Sequence, residues 1–213
     1  MDGKNYNSCL MLAAELITPV SLSSIFDSGD LKDSGIEYDS HITIMYAGEK
    51  WLEKAELLRN IEEIDPSFIK EFLLENSSEE ISDPYPVLDI FELSNFENES
   101  GYVVLRLKSD APMFNRLETL NKGLQDKYGV VSDFGDYKPH LTLAEVEPGR
   151  SEKYLHDKKL QTLLEYSYVR FEDLILSYSK VGIKEYDVHN LTHYKAIDRF
   201  FRLRDLEKEA TEY

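Results

Sequence analysis

The chain has one cysteine, Cys9, in 213 residues. A single thiol excludes an internal disulfide framework and a zinc site built on cysteines. That fits a reducing compartment, so the expected location is cytoplasmic. No apolar run approaches the roughly 20 residues that span a bilayer, and no membrane span is expected. The N-terminus lacks a basic segment leading into an apolar one, which argues against a signal peptide. Positive charge is scarce: 24 Lys and Arg stand against 41 Asp and Glu, a formal net charge of −17. Such a surface repels a long polyanion, because proteins hold duplexes by neutralising phosphates with Lys and Arg. A phosphate-handling site would therefore take a small nucleotide or short oligonucleotide rather than a long duplex, although acidity also serves solubility alone. The GxGxxG, Walker and HExxH patterns are all missing, which removes three common cofactor and metal readings.

What is present is a globular composition. The apolar fraction is 42%, with 14 Tyr and 10 Phe, enough for a sizeable core in one domain covering 1–213. An apolar run at 8–16 reads as a buried strand, followed by a Ser, Asp and Gly-rich loop at 18–40 with one short helix. A strand covers 40–46. Residues 49–64 place Trp51, Leu52, Ala55, Leu57, Leu58, Ile61 and Ile64 at helical spacing, with Trp51 in the helix core. Asp65-Pro66 resembles a second helix start, running to about residue 75. Residues 76–86 read as an exposed acidic loop. Strands at 87–96 and 102–107 flank a hairpin turn at 97–101. A helix from 110 is closed by Gly129, and 130–138 is loop. A strand at 140–146, a helix at 151–164 and a strand at 170–179 follow. A polar connection covers 180–190, and a last strand lies within 192–203. Residues 65–86 read as an insertion and 187–213 as a polar extension.

The chemistry concentrates in two short stretches, His41-Ile42-Thr43-Ile44 and His140-Leu141-Thr142-Leu143, 99 positions apart. In a strand, alternate side chains share a face. Each stretch would present an imidazole and a hydroxyl on one surface and anchor itself through aliphatic residues on the other. Two ordinary strands that happen to carry His and Thr are the plain alternative. A zinc site needs three or four ligands. His189 and His193 have metal-like spacing, but their surroundings read as a polar connection and, with His156, each reads as a surface histidine.

With their flanks, the two stretches resemble the two-histidine (2H) phosphoesterase superfamily, near its LigT and 2′-5′ RNA ligase-like branch. That family carries two His-x-Thr/Ser-x motifs. The first is often followed by an aromatic residue and a glycine, as in His41-Ile42-Thr43-Ile44-Met45-Tyr46-Ala47-Gly48. The second is commonly preceded by proline, as in Pro139-His140-Leu141-Thr142-Leu143-Ala144. The likeness runs over about residues 10–179. The motif spacing is longer than compact members need, and the excess sits in 65–86.

The resemblance implies an α+β fold of two similar lobes, with mostly antiparallel sheets, helices packed outside and a pseudo-twofold axis. It implies that His41, Thr43, His140 and Thr142 line a central groove. Histidine's ordinary pKa near 6.5 lets one copy be neutral while the other is charged near pH 7. One could take a proton from a 2′-hydroxyl or water while the other protonates the departing oxygen across phosphorus. Thr43 and Thr142 would donate to the non-bridging oxygens. This arrangement requires no metal and no cofactor. Tyr46 and Tyr137 flank the motifs and are candidates to stack on a base. Lys138, Lys180 and Lys184 are candidates to face phosphate.

The expected activity is thus a metal-independent phosphodiesterase. Its substrate would be a 2′-5′ oligoadenylate, a cyclic oligonucleotide signal of the kind phage anti-defence proteins destroy, or a 2′,3′-cyclic phosphate. The alternatives are an RNA-end processing or ligase-like enzyme on tRNA-type substrates and a nucleotide-binding module without turnover. Binding alone does not need two proton-transfer groups.

Overall fold

The apolar run near the N-terminus becomes β1 (Tyr6–Ile17), on which the larger sheet is built. The computed structural model describes residues 6–69, 84–96, 101–131, 136–180 and 197–202. On one side β1 pairs with β3 (His41–Gly48) and on the other with β8 (Tyr168–Lys180). Further along, β8 also pairs with β4 (Tyr85–Pro86) and β9 (Ile197–Arg202). The second sheet has the order β2 (Leu31–Ile36), β7 (His140–Val146), β6 (Tyr102–Leu107), β5 (Phe91–Asn95). Every pairing described is antiparallel. With six α-helices among the described residues the fold is α+β, as the sequence leads one to expect.

Each motif strand sits in a different sheet. Ile42 and Ile44 of β3 and Leu141 and Leu143 of β7 are all fully buried, and they belong to one contiguous core. Helix α4 (Pro112–Tyr128) covers β3. It opens with Pro112, buries Met113, Leu117, Leu120, Asn121 and Leu124, and ends on Gly129 at φ 58°. That left-handed cap is what glycine supplies without a Cβ clash. Helix α1 (Lys54–Ile64) is capped by the Glu53 carboxylate, which accepts the Glu56 N–H at 3.0 Å. Two further short helices are α2 (Pro66–Ile69) and α3 (Val87–Ile90), and α3 leads into β5 of the second sheet. Helix α5 (Ser151–Leu155) rests on that sheet, and α6 (Lys158–Glu165) follows it. The start of the second hairpin strand is fixed by Gly101, at φ 73°, where a Cβ would come within 2.1 Å of the Val146 carbonyl oxygen.

Several elements differ from expectation. β2 lies inside the stretch read as loop; only Leu31 and Ile36 pair with β7, with a register shift between them, so no alternation marks it. The helix expected from 49 starts at Lys54, because Glu53 is its cap. Trp51 therefore precedes the helix and is 37% exposed instead of lying in its core. The strand expected from 87 begins with the single turn α3. The helix expected over 151–164 is broken at Asp157, whose carboxylate caps α6 through the Lys159 and Leu160 N–H groups. Of the helix expected from 65 to 75, only α2 is described. Most of the insertion at 65–86 and most of the polar extension lie outside the described residues, as do most of the hairpin turn and the polar connection.

Candidate functional site

The two motif strands repeat one local design. In both, His and Thr are half-buried and alternate with fully buried aliphatic residues. In both, a β-bulge follows the threonine. The β1–β3 register slips between Leu10 and Met11, which pair with Met45 and Thr43 and leave Ile44 as the extra residue. The β6–β7 register slips between Val103 and Val104, which pair with Ala144 and Thr142 and leave Leu143 over. A bulge kinks the strand and changes which face later residues take. Hence two consecutive residues are buried after Thr, and Tyr46 and Glu145 return to the histidine face as counterparts. The Ile44 carbonyl, displaced from the ladder, accepts a hydrogen bond from Asn121 Nδ2 at 2.7 Å.

The imidazoles are held the same way. His41 Nδ1 bonds the Asp39 carbonyl at 2.9 Å, and His140 Nδ1 bonds the Lys138 carbonyl at 2.8 Å. Each acceptor is the carbonyl two residues before its histidine. A carbonyl only accepts, so each Nδ1 carries the proton and each Nε2 is left as the proton-exchanging atom. The two strands also meet: β3 and β7 approach within 8 Å, Cα to Cα. Between them, the Tyr137 hydroxyl donates to the Thr43 carbonyl at 2.9 Å. The loop before one motif is thereby tied to the backbone of the other.

The surroundings of the two histidines differ. Ala13 of β1 sits opposite His41 in register, and Arg106 of β6 sits opposite His140. Phe96 packs on His140 edge to face, with ring centroids 4.7 Å apart. Burial pushes the His140 pKa below the ordinary histidine value, and the Arg106 charge adds to the effect. On the other half, the floor next to β3 is a small apolar cluster of Met11, Ala13 and Ile175, with Cys9 against it. Burial pushes the Cys9 thiol up to about 12, against a hydrogen bond from the Thr43 side chain. That thiol is therefore neutral and unreactive at pH 7.

The motif residues His41, Thr43, His140 and Thr142 thus lie on two strands that come within 8 Å, Cα to Cα, and are linked by the Tyr137–Thr43 bond. Tyr46 is 47% exposed on the histidine face. The Tyr137 ring packs against the core and its hydroxyl is engaged with Thr43; burial raises its pKa, so it remains a donor. The Lys138 side chain is exposed beside His140, and its carbonyl orients that ring. His156 is the residue just past the end of α5, with Glu152 at 3.2 Å. The Lys180 side chain, Lys184, His189 and His193 lie outside what is described. Among the described residues, no group of three His, Cys, Asp or Glu side chains is arranged to hold a metal ion. No described helix is long and apolar enough to cross a membrane. Sequence reasoning missed Arg106 and Phe96. The signal for Arg106 was available: it is the one charged residue in the apolar strand Tyr102-Val-Val-Leu-Arg106-Leu107.

No family model and no curated protein sequence matches the chain. Among solved structures, it aligns with Escherichia coli LigT complexed with 3′-AMP at a TM-score of 0.45 and 12% identity, covering 90% of this chain and 98% of that one. A structure described as a phosphoesterase aligns at 0.40 and 13%, covering 90% and 98%. The apo form of E. coli LigT aligns at 0.40 and 13%, covering 90% and 97%.

Proposed function

We propose that the chain is a two-histidine phosphodiesterase acting on a small nucleotide or short oligonucleotide without a metal ion. The observation that carries this reading is the duplication. Two His-x-Thr strands, each with Nδ1 fixed by the carbonyl two residues earlier and each bulged after Thr, lie in different sheets and approach within 8 Å, Cα to Cα. Two preorganised Nε2 atoms are what an in-line displacement needs, one on each side of phosphorus.

In this mechanism His140, held towards its neutral form by burial, takes the proton from water or a 2′-hydroxyl. The oxygen so activated attacks phosphorus. The bond to the leaving oxygen breaks, and His41 in its charged form protonates that oxygen. Thr43 and Thr142 donate to the non-bridging oxygens, where charge is held in the transition state. Tyr46, exposed on the same face, stacks on a base, and Lys138 meets phosphate at the rim.

The test is a screen of the purified protein in EDTA, with products read by mass. Its arms are 2′-5′ and 3′-5′ oligoadenylates, cyclic di- and trinucleotides, nucleoside 2′,3′-cyclic phosphates and a nicked tRNA. Turnover of one of the small substrates in EDTA is expected. Activity lost in EDTA and restored by zinc or magnesium overturns the metal-free mechanism, and turnover of the tRNA alone replaces the substrate class.

A further inference from the structure

The two halves of the site match at His, Thr, the orienting carbonyl and the bulge, but not at the residue beside each histidine. Opposite His41 stands Ala13, which offers nothing polar beyond its backbone. Opposite His140 stands Arg106, on the same face of the sheet by register. Resting on the phosphodiesterase reading, we propose that Arg106 is a substrate-contacting residue that grips the phosphate from the His140 side, so that the substrate binds in one orientation of an otherwise twofold site.

Three observations support this. First, Arg106 is incompletely satisfied. One guanidinium nitrogen, Nη2, donates to the Asn95 carbonyl at 3.2 Å, while Nε–H is buried with no hydrogen-bond partner. A buried donor without an acceptor is rare and costly, and an incoming oxygen would remove that cost. Second, no carboxylate among the described residues forms an ion pair with it. Glu92 is its cross-strand neighbour on β5, but that side chain is exposed and makes no such pair. Arg116, Arg150 and Arg170 each pair with a carboxylate, so a guanidinium kept from carboxylates beside an acid–base histidine is poised for an external anion. Third, its position is fixed. The Asn95 bond anchors one corner of the fork, and Phe96, the next residue, packs on the His140 ring. The fork, the imidazole and Thr142 are thus presented by adjacent strands of one sheet, as a charge-assisted contact to a tetrahedral anion requires.

The experiment measures binding by calorimetry at pH 7.5 for the wild type, Arg106→Ala, Arg106→Met and Arg106→Lys. The probes are inorganic phosphate, 3′-AMP and adenosine. Circular dichroism checks folding, and Arg106→Met keeps a stem of similar length should Arg106→Ala fail to fold. Affinity for phosphate and 3′-AMP should fall roughly ten- to hundredfold in the Ala and Met variants, as expected for loss of a charge-assisted bond. Lys should restore part of it. Affinity for adenosine should be unchanged, which a merely structural role would not produce. Equal phosphate and 3′-AMP affinity in a folded Met variant overturns the proposal while leaving the phosphodiesterase reading in place. A wild type that binds neither phosphate nor 3′-AMP overturns both.

Discussion

The half of the molecule around β3 and the half around β7 are built alike and lined differently. Both expose His and Thr from a strand whose alternate residues are core, and both turn the next outward residue back to the histidine face through a bulge. In the first half that residue is Tyr46 and the floor is Met11, Ala13 and Cys9. In the second it is Glu145, paired with Lys32 at 3.1 Å, and the neighbours of the histidine are Arg106 and Phe96. What the halves share is what the proposed displacement asks for on each side of phosphorus. On the phosphodiesterase reading, what they do not share would give the site a direction: an apolar floor and Tyr46 on one side, Arg106, Phe96 and a lowered histidine pKa on the other. Recognition of a base suits the first and of a phosphate the second.

The comparison is broken most completely by removing either histidine. His41→Ala and His140→Ala should each lower turnover by at least about 10²–10⁴, the usual contribution of a positioned acid or base. The double variant should be little worse than either single one, because residues acting as a unit are not additive. Both singles should fold, since each histidine is only half-buried. A folded His140→Ala protein with near-normal turnover would falsify the phosphodiesterase assignment. Turnover and circular dichroism on the same preparations decide it.

The threonines come next. Thr43→Ala and Thr142→Ala should each cost about 10²–10³ in rate if both hydroxyls hold the phosphoryl oxygens. Thr→Ser should retain much of the activity. The two halves differ here too, because the Thr43 hydroxyl has the Cys9 thiol as a neighbour and Thr142 stands opposite Val104. Cys9→Ala therefore sharpens the comparison: it should leave activity within a few-fold, since a neutral thiol is a weak partner. Ser and Ala variants damaged equally at both positions would make the threonines packing groups.

The motif strands were legible because their signal is local. His-x-Thr between aliphatic residues fixes the faces of a strand wherever one face is core, and Ile42, Ile44, Leu141 and Leu143 are all fully buried. Helix α4 was legible for the same reason, through Pro112, a helical stripe and Gly129. What escaped depends on tertiary pairing. β2 is held by two ladder positions and has no pattern of its own. The bulges are set by the partner strands, so Glu145 could not be recognised as the counterpart of Tyr46. Arg106 becomes a site residue only through its register against His140, which no spacing along the chain encodes. The Tyr137–Thr43 bond joins residues 94 apart for the same reason.

That bond provides a smaller perturbation. Tyr137→Phe removes one hydroxyl that ties the loop before His140 to the backbone of β3 and leaves the ring in the core. The loss should be about 1 kcal/mol of stability, the usual net worth of such a bond. Turnover should fall only a few-fold, with both histidines still oriented by their own carbonyls. Chemical denaturation and steady-state kinetics check this. A raised KM with unchanged stability would instead mean that the Tyr137 hydroxyl meets substrate.

The smallest expected effect separates the halves without chemistry. Burial holds the His140 pKa below its unfolded value near 6.5, with the charges of Arg106 on β6 acting in the same direction and the bond to the Lys138 carbonyl opposing it. The folded state therefore binds fewer protons than the unfolded state between the folded pKa and about 6.5. Stability should be full above that range and decline as pH falls through it. Below the folded pKa this contribution becomes constant, because both states are then protonated. His140→Gln cannot titrate, so its denaturation midpoint should lose that part of the pH dependence while keeping the rest. The wild-type minus His140→Gln difference, measured in urea from pH 7.5 to 5, should shift against the wild type as pH falls. A flat difference would mean that His140 titrates in the folded protein as it does unfolded, and the directionality assigned to its half would then rest on the position of Arg106 alone.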